Sequence, residues 1–284
     1  VVGPGDYYSL INLGMCIYLY NKEHLTDVKY YVGSDTGSIL ALLLYMGFTP
    51  IEIAVYLLKF EPLTQSFDPT NLFTKHGLLG TQYIVDFLAN VITDKKWARI
   101  LTLKQLYDHT KKELCLIGNE LGKGQVLINH ETCPNMPCTI AAAISYMRPL
   151  IFTKLQYGGL DYVGGITSNP YPVDVYDDGK RNILGLCTHN NSKFYNGKAL
   201  NYFSSIITMP IKNLYDRIVE QTGQNCSHIE AVLNNIDIVG KSVFIDDKYK
   251  MIKTGFDIAK SYYLNTYPQQ LSINHVEDNE DEFI

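Results

Sequence analysis

The sharpest change of hydrophobic pattern along the chain falls at Tyr30-Tyr31-Val32-Gly33-Ser34-Asp35-Thr36-Gly37-Ser38. There an aromatic and β-branched run stops at glycine and leads directly into Ile39-Leu40-Ala41-Leu42-Leu43-Leu44. Such a run before glycine and an unbroken apolar stretch after it predict strand, sharp turn and buried helix. Gly47 ends that helix, and Thr49-Pro50-Ile51-Glu52 opens the next with a Thr cap, a proline at the first position and an acidic first turn. Ile84, Val85, Phe87, Leu88, Val91 and Ile92 share one face of a helix predicted over Gln82 to Thr93. A second amphipathic helix is predicted from a Thr102 cap to Cys115. Strand-like pieces follow at Val126-Leu127-Ile128, at Leu160-Asp161-Tyr162-Val163 and at Ile183-Leu184-Gly185-Leu186-Cys187, the last behind a polar turn at Asp177-Asp178-Gly179-Lys180.

Strands alternating with helices predict an α/β fold with a mainly parallel central sheet and helices on both faces, where sites form at the carboxyl ends of strands. The Asp35 turn lies at such an end. Beyond Tyr267-Pro268 the chain turns acidic (Val276-Glu277-Asp278-Asn279-Glu280-Asp281-Glu282) and cannot bury a core of its own. The expected organisation is one domain over 1–266 and a tail over 267–284, disordered or exchanged with a neighbour.

With 284 residues, 46% of them hydrophobic, one substantial core is expected. A net charge of −5 without any block of Lys and Arg argues against nucleic-acid binding. No apolar run reaches the roughly 18–20 residues of a membrane span, so no transmembrane segment is expected. Val1-Val2-Gly3-Pro4-Gly5 lacks the basic start of a secretory signal, so an intracellular location is expected. The six cysteines (Cys16, Cys115, Cys133, Cys138, Cys187, Cys226) are scattered and read mostly as buried thiols. The one close pair, Cys133 and Cys138, has no second Cys/His pair beside it, so neither a metal nor a cofactor is expected.

The order of the segments resembles the patatin-like phospholipases, acyl hydrolases with a glycine-rich oxyanion loop, a G-x-S-x-G nucleophile elbow and a distant D-G-G or D-G-A that completes a Ser-Asp dyad. The matching stretches are the elbow helix through Met46-Gly47-Phe48-Thr49-Pro50-Ile51-Glu52, then His76-Gly77-Leu78-Leu79-Gly80, then Thr102-Leu103-Lys104-Gln105-Leu106-Tyr107. Ala141 to Phe152, Tyr162 to Pro170 and Met251-Ile252-Lys253-Thr254-Gly255 follow in the same order. The resemblance thus covers nearly everything before the tail and implies a patatin-like three-layer fold.

It also locates the departures. Gly33 and Gly37 keep the elbow's shape, because bulk beside a strained turn would meet backbone. The nucleophile position is Asp35, which cannot form an acyl-serine. The dyad position is Val163, ahead of Gly164 and Gly165, where the family keeps its base. The oxyanion loop falls on Pro4-Gly5-Asp6-Tyr7-Tyr8-Ser9 or, with one insertion, keeps Gly3 and Gly5 as glycine remnants without the basic residue. Loss of one member of such a unit already removes most of its rate advantage. A catalytically inactive protein is therefore expected, with no catalytic residue of the usual kind. Arg148, where the family carries a small residue, is expected to hold Asp35 as an ion pair. Ser38 is expected to cap the elbow helix, and Asp161 is a displaced carboxylate or a solvated strand end.

The alternative is a lipid-binding protein, or an acyl hydrolase working through Asp35. An Asp nucleophile needs a base for the following water, and none of His24, His76, His109, His130, His189, His228 or His275 stands in a recognisable relation to it. The 22 tyrosines, Lys193-Phe194-Tyr195, Ser261-Tyr262-Tyr263 and the tail suit self-assembly. The expected partners are further copies of the chain, as a homo-oligomer or higher assembly, with a lipid or fatty acid in a relic pocket as the alternative ligand. A leaning to Asn, Ile, Lys and Tyr fits an AT-rich genome, hence a viral protein in the host cell, in a virus particle or in an inclusion.

Overall fold

A computed structural model describes residues 1–5, 9–61, 70–190, 199–233 and 244–266. Asp6, Tyr7, Tyr8, Lys193-Phe194-Tyr195 and the 267–284 tail lie outside these described residues. The elements run α1 (Ser9–Asn21), β1 (Tyr30–Gly33), α2 (Gly37–Tyr45), α3 (Pro50–Leu57), α4 (Asn71–Thr74), β2 (Gly77–Leu79), α5 (Gln82–Asp94), α6 (Leu103–Thr110), β3 (Glu113–Glu120), β4 (Gly124–Ile128), α7 (Cys138–Tyr146), β5 (Leu150–Phe152), β6 (Leu155–Tyr157), β7 (Leu160–Gly164), β8 (Ile183–Asn190), α8 (Ala199–Gln221), β9 (Cys226–Leu233) and α9 (Ile245–Thr266).

β1 runs parallel to β3, and β8 parallel to β9. Val2 joins the two pairs through parallel bridges to Gly33 and Leu186. Beyond β3 the sheet turns antiparallel, with β4 and β7 both on β3 and β6 on β7. The central sheet is therefore parallel on the elbow's side and mixed as a whole. Alternate residues of β3 enter different cores, Leu114 and Leu116 joining α1, α2 and α7, while Cys115 and Ile117 pack with Val175 and Tyr176. Both faces of β3 are therefore covered.

The predicted helix over Thr102 to Cys115 is corrected here. It stops at Thr110, Lys111 turns left-handed at φ 55°, and Glu113 begins the central strand β3. Burial on both faces removes the alternation that marks a half-exposed strand, so Leu114-Cys115-Leu116-Ile117 reads like a continuing helix. The starts were legible: Thr49 with Glu52 and Thr102 with Gln105 each form a complete capping box.

The long helix α9 locks onto the body twice. Gly255 packs against the Ile11 backbone of α1 and Gly14 against Ile252. At its other end Lys248, almost buried, donates from Nζ to the Leu58 and Phe60 carbonyls (2.6 and 3.4 Å) and pairs with Glu61. Leu58 is the C-cap of α3, where a cation complements the helix dipole. Lys248→Met keeps the stem and loses the donor, so thermal unfolding is expected to show a loss of roughly 1–3 kcal/mol. An unchanged melting curve would mean that the apolar stem alone seats the helix.

Candidate functional site

The elbow is formed. Asp35 sits at its apex with φ 54°, a left-handed conformation in which a non-glycine residue is strained. The neighbours explain why only glycine fits on either side. A Cβ on Gly33 would stand 2.6 Å from the Ser38 Cα, and one on Gly37 would stand 2.2 Å from the Val2 carbonyl oxygen. Neither flanking serine is presented to a substrate. The Ser34 hydroxyl, fully buried, donates to the Asn169 carbonyl at 2.9 Å. Ser38 is not the N-cap of α2, a place held by Thr36. Its hydroxyl instead donates back to the Asp35 carbonyl at 2.6 Å and ties the apex to the helix.

The Asp35 side chain is 1% exposed and meets Arg148 in a two-bond fork, with Nε on Oδ1 at 2.9 Å and Nη2 on Oδ2 at 2.8 Å. Arg148, 20% exposed, lies between α7 and β5. Burial pushes the Asp35 carboxyl up to about 7, against hydrogen bonds from the Thr36 backbone and hydroxyl. Burial also draws Arg148 down to about 10. Beside the pair Tyr146 is buried, its phenol raised by desolvation and by Asp35, and Phe60 stands edge-on to its ring at 6.0 Å.

The Gly3-Pro4-Gly5 segment, where the resemblance puts the oxyanion loop, is pinned in place. The Gly3 position has no room for a side chain, since a Cβ would stand 2.6 Å from the Tyr171 ring. The Pro4 carbonyl accepts from the Thr188 N–H at 3.0 Å and from Asn12 at 3.3 Å. The Gly5 N–H, a donor of the kind an oxyanion needs, donates to Thr36 Oγ1 at 3.0 Å, and that hydroxyl reaches Asp35 Oδ2 at 3.4 Å. Thr36 was not singled out by sequence reasoning, although its place next to the apex was the available signal.

At the position that the resemblance assigns to the dyad base, β7 has a tight backbone and carries Val163. Val163 pairs with Asn119 of β3. The Gly164 N–H donates to the carbonyl of Met147, the residue before Arg148, at 2.7 Å, and the Gly164 carbonyl accepts from Asn119 at 2.8 Å. Gly165 packs on the Ile117 backbone so closely that a Cβ would meet its carbonyl oxygen at 2.5 Å. Asp161 is held by Lys154 across the β6–β7 hairpin, and its other oxygen is buried without a hydrogen-bond partner among the described residues. His228 bridges Tyr171 and Thr222, and His24, His109 and His130 lie against Tyr263, Trp97 and Tyr107. None of these contacts involves Asp35. A groove of about 1210 Å³ lies elsewhere, at the amino ends of the strands beside Val1, Lys29, Lys112 and Ile183.

No protein-family model matches the chain. A probable lipid hydrolase of Invertebrate iridescent virus 6 is 28% identical over 159 residues, covering 54% of this chain and 55% of the relative. An uncharacterized protein of Acanthamoeba polyphaga mimivirus is 22% identical over 92% of this chain and 87% of its own length. Among solved structures, VipD from Legionella pneumophila superposes with a TM-score of 0.54 at 13% identity, over 94% of this chain and 66% of VipD. The type III effector protein ExoU of Pseudomonas aeruginosa gives 0.52 at 16% identity, over 93% of this chain and 52% of ExoU. The chain thus spans about half to two thirds of the lipid hydrolase, VipD and ExoU. It has the mixed α/β fold of VipD and ExoU and is similar in sequence to viral proteins, one of them named a probable lipid hydrolase.

Proposed function

We propose that this chain is a catalytically silent relative of the patatin-like lipid hydrolases, with its nucleophile elbow converted into a structural clasp. The observation that carries this reading is the Arg148–Asp35 fork: the side chain at the strained apex is buried and doubly bonded to a cation instead of facing a substrate. The Gly5 N–H is spent on Thr36, and Val163 cannot take a proton. The clasp joins the N-terminal loop, the elbow and the α7–β5 turn, three segments distant in sequence. Purified protein is expected to leave short-chain p-nitrophenyl esters and a phospholipid unhydrolysed above the buffer rate. The Asp35→Ser and Asp35→Ser/Val163→Asp variants run beside it as a measure of how much machinery can be restored. Hydrolysis by the unmodified chain that Asp35→Ala abolishes would sink the reading and point to chemistry at Asp35 itself.

The fold so retained serves as a self-associating structural component of a virus. The viral origin of both sequence relatives favours this role, as do large apolar side chains in the open, with Phe73 85% exposed and Phe244 75% exposed. Sedimentation velocity over a hundredfold range of concentration is expected to reveal species larger than the monomer. A monomer throughout would remove the self-assembling role while leaving the clasp intact.

A further inference from the structure

Away from Asp35, strands β8 and β9 carry a polar cluster on the face under α8. Their register sets Cys187 opposite Glu230, with His189 two residues further along β8 and His228 two residues back along β9, so the four side chains share one face. Polar bonds tie α8 to that face. Tyr215 Oη lies 2.8 Å from Cys187 Sγ and donates to Glu230 Oε1 at 2.7 Å. Just past the helix end, the Thr222 hydroxyl lies 3.0 Å from His228 Nε2. Pro210 interrupts the hydrogen-bond ladder inside α8, so residues 211–221, which carry these contacts, are coupled less firmly to the turns before them.

The bonding requires both histidines to be neutral. The Thr222 hydroxyl gives its proton to the Val219 carbonyl at 2.8 Å, so it accepts from the Nε2–H of His228. Nδ1 of that ring is then bare and accepts from the Tyr171 hydroxyl at 2.9 Å. A proton on Nδ1 would turn this hydroxyl, on a fully buried residue, toward the Cys187 thiol, a weak acceptor. Nδ1 of His189 is buried and has no hydrogen-bond partner among the described residues, so a proton there would be a donor with nothing to receive it. Burial holds both rings below the ordinary histidine value, against the pull of Glu230 on each and of Asp216 on His189, where Lys212 adds to the burial.

We infer that α8 is an acid-released latch: when His189 and His228 take up protons, residues 211–222 leave the β8–β9 face. A histidine whose folded value lies below its unfolded value of about 6.5 costs stability as pH falls, from the unfolded value down through the folded one. Asp35 acts in the opposite sense, since burial raises its carboxyl and its contribution is complete at low pH, so the body holds while α8 lets go. Release opens the cluster of Tyr171, Val173, Cys187 and Tyr215 and presents apolar surface that is closed at neutral pH.

The test compares amide hydrogen exchange at pH 8 and pH 5, corrected for the intrinsic pH dependence of exchange, in the parent chain and in His189→Gln/His228→Gln. In the parent, protection over residues 213–221 is expected to fall about tenfold or more at pH 5 relative to α2, and in the double variant to hold within about twofold. No loss in α8, or an equal loss in α2, would overturn the inference. So would a double variant that keeps the parent's loss, which would move the trigger to Glu230 or Asp216. The imidazole proton resonances of the parent give a readout that does not depend on the variant's folding. They are expected to titrate together with the loss of protection, below about 6.5. Rings that stay neutral while α8 opens, or that charge while it stays closed, would equally overturn it.

Discussion

Gly255→Ala is expected to cost about 3 kcal/mol or more in chemical denaturation, although alanine is the better helix former by roughly 1 kcal/mol. The reason is the crossing of α1 and α9. A Cβ on Gly255 would stand 1.9 Å from the Ile11 carbonyl oxygen, and a Cβ on Gly14 would stand 1.9 Å from that of Ile252. Each glycine thus faces the other helix's backbone, which cannot rotate away as a flexible side chain can, so the helices must separate along their contact. Separation would unseat Phe256, whose ring stands edge-on to Tyr18 at 5.3 Å, and Ile252, both nearly fully buried. Gly14→Ala should behave alike, and because the two contacts belong to one interface, the double variant should cost less than the sum of the singles. Gly80→Ala is the matched control, since nothing lies within 4 Å of its Cβ position, and it is expected within about 0.5 kcal/mol of the parent. A neutral Gly255→Ala would mean that α1 and α9 do not touch backbone to backbone.

That crossing marks a limit of what the sequence discloses. A glycine inside a helical pattern says that something approaches closely, but Gly14 and Gly255 are 241 positions apart and nothing local names either as the other's partner. The elbow was legible for the opposite reason: Gly33, Asp35 and Gly37 lie within five residues, and the constraint that spaces them is the turn's own geometry. The Arg148–Asp35 pair was accessible because the resemblance places both residues at one site. The two bonds of its fork, and the role of Thr36 as the link between Gly5 and Asp35, needed coordinates. β3 was hidden by its own position. A strand buried on both faces loses the period of two, so the most central strand carried the least distinctive pattern.

Arg148→Met is expected to destabilise the chain by about 3–5 kcal/mol at pH 8, because it leaves the Asp35 carboxylate, 1% exposed, without the guanidinium fork that offsets its burial. The cost should shrink as pH falls. Burial already holds the Asp35 carboxyl up at about 7 with the arginine present, and removal of the cation moves it further up. A carboxyl whose folded value lies above its unfolded value contributes stability that is complete below the ordinary Asp range and is lost as pH rises through the folded value. The variant loses this contribution over a higher pH span than the parent but loses more of it, so the two chains diverge above pH 7. At pH 5 protonation relieves the unpaired carboxyl of the variant, and the difference narrows toward the lost packing and hydrogen bonds of the arginine. Urea titrations of both chains at pH 5 and pH 8 test this, with Asp35→Asn/Arg148→Met as the companion. That double variant removes both charges at nearly constant volume, keeps a residue that tolerates the left-handed apex, and should recover most of the loss at pH 8. A cost for Arg148→Met that is small at pH 8, or that grows toward pH 5, would show that the fork does not hold the Asp35 turn together.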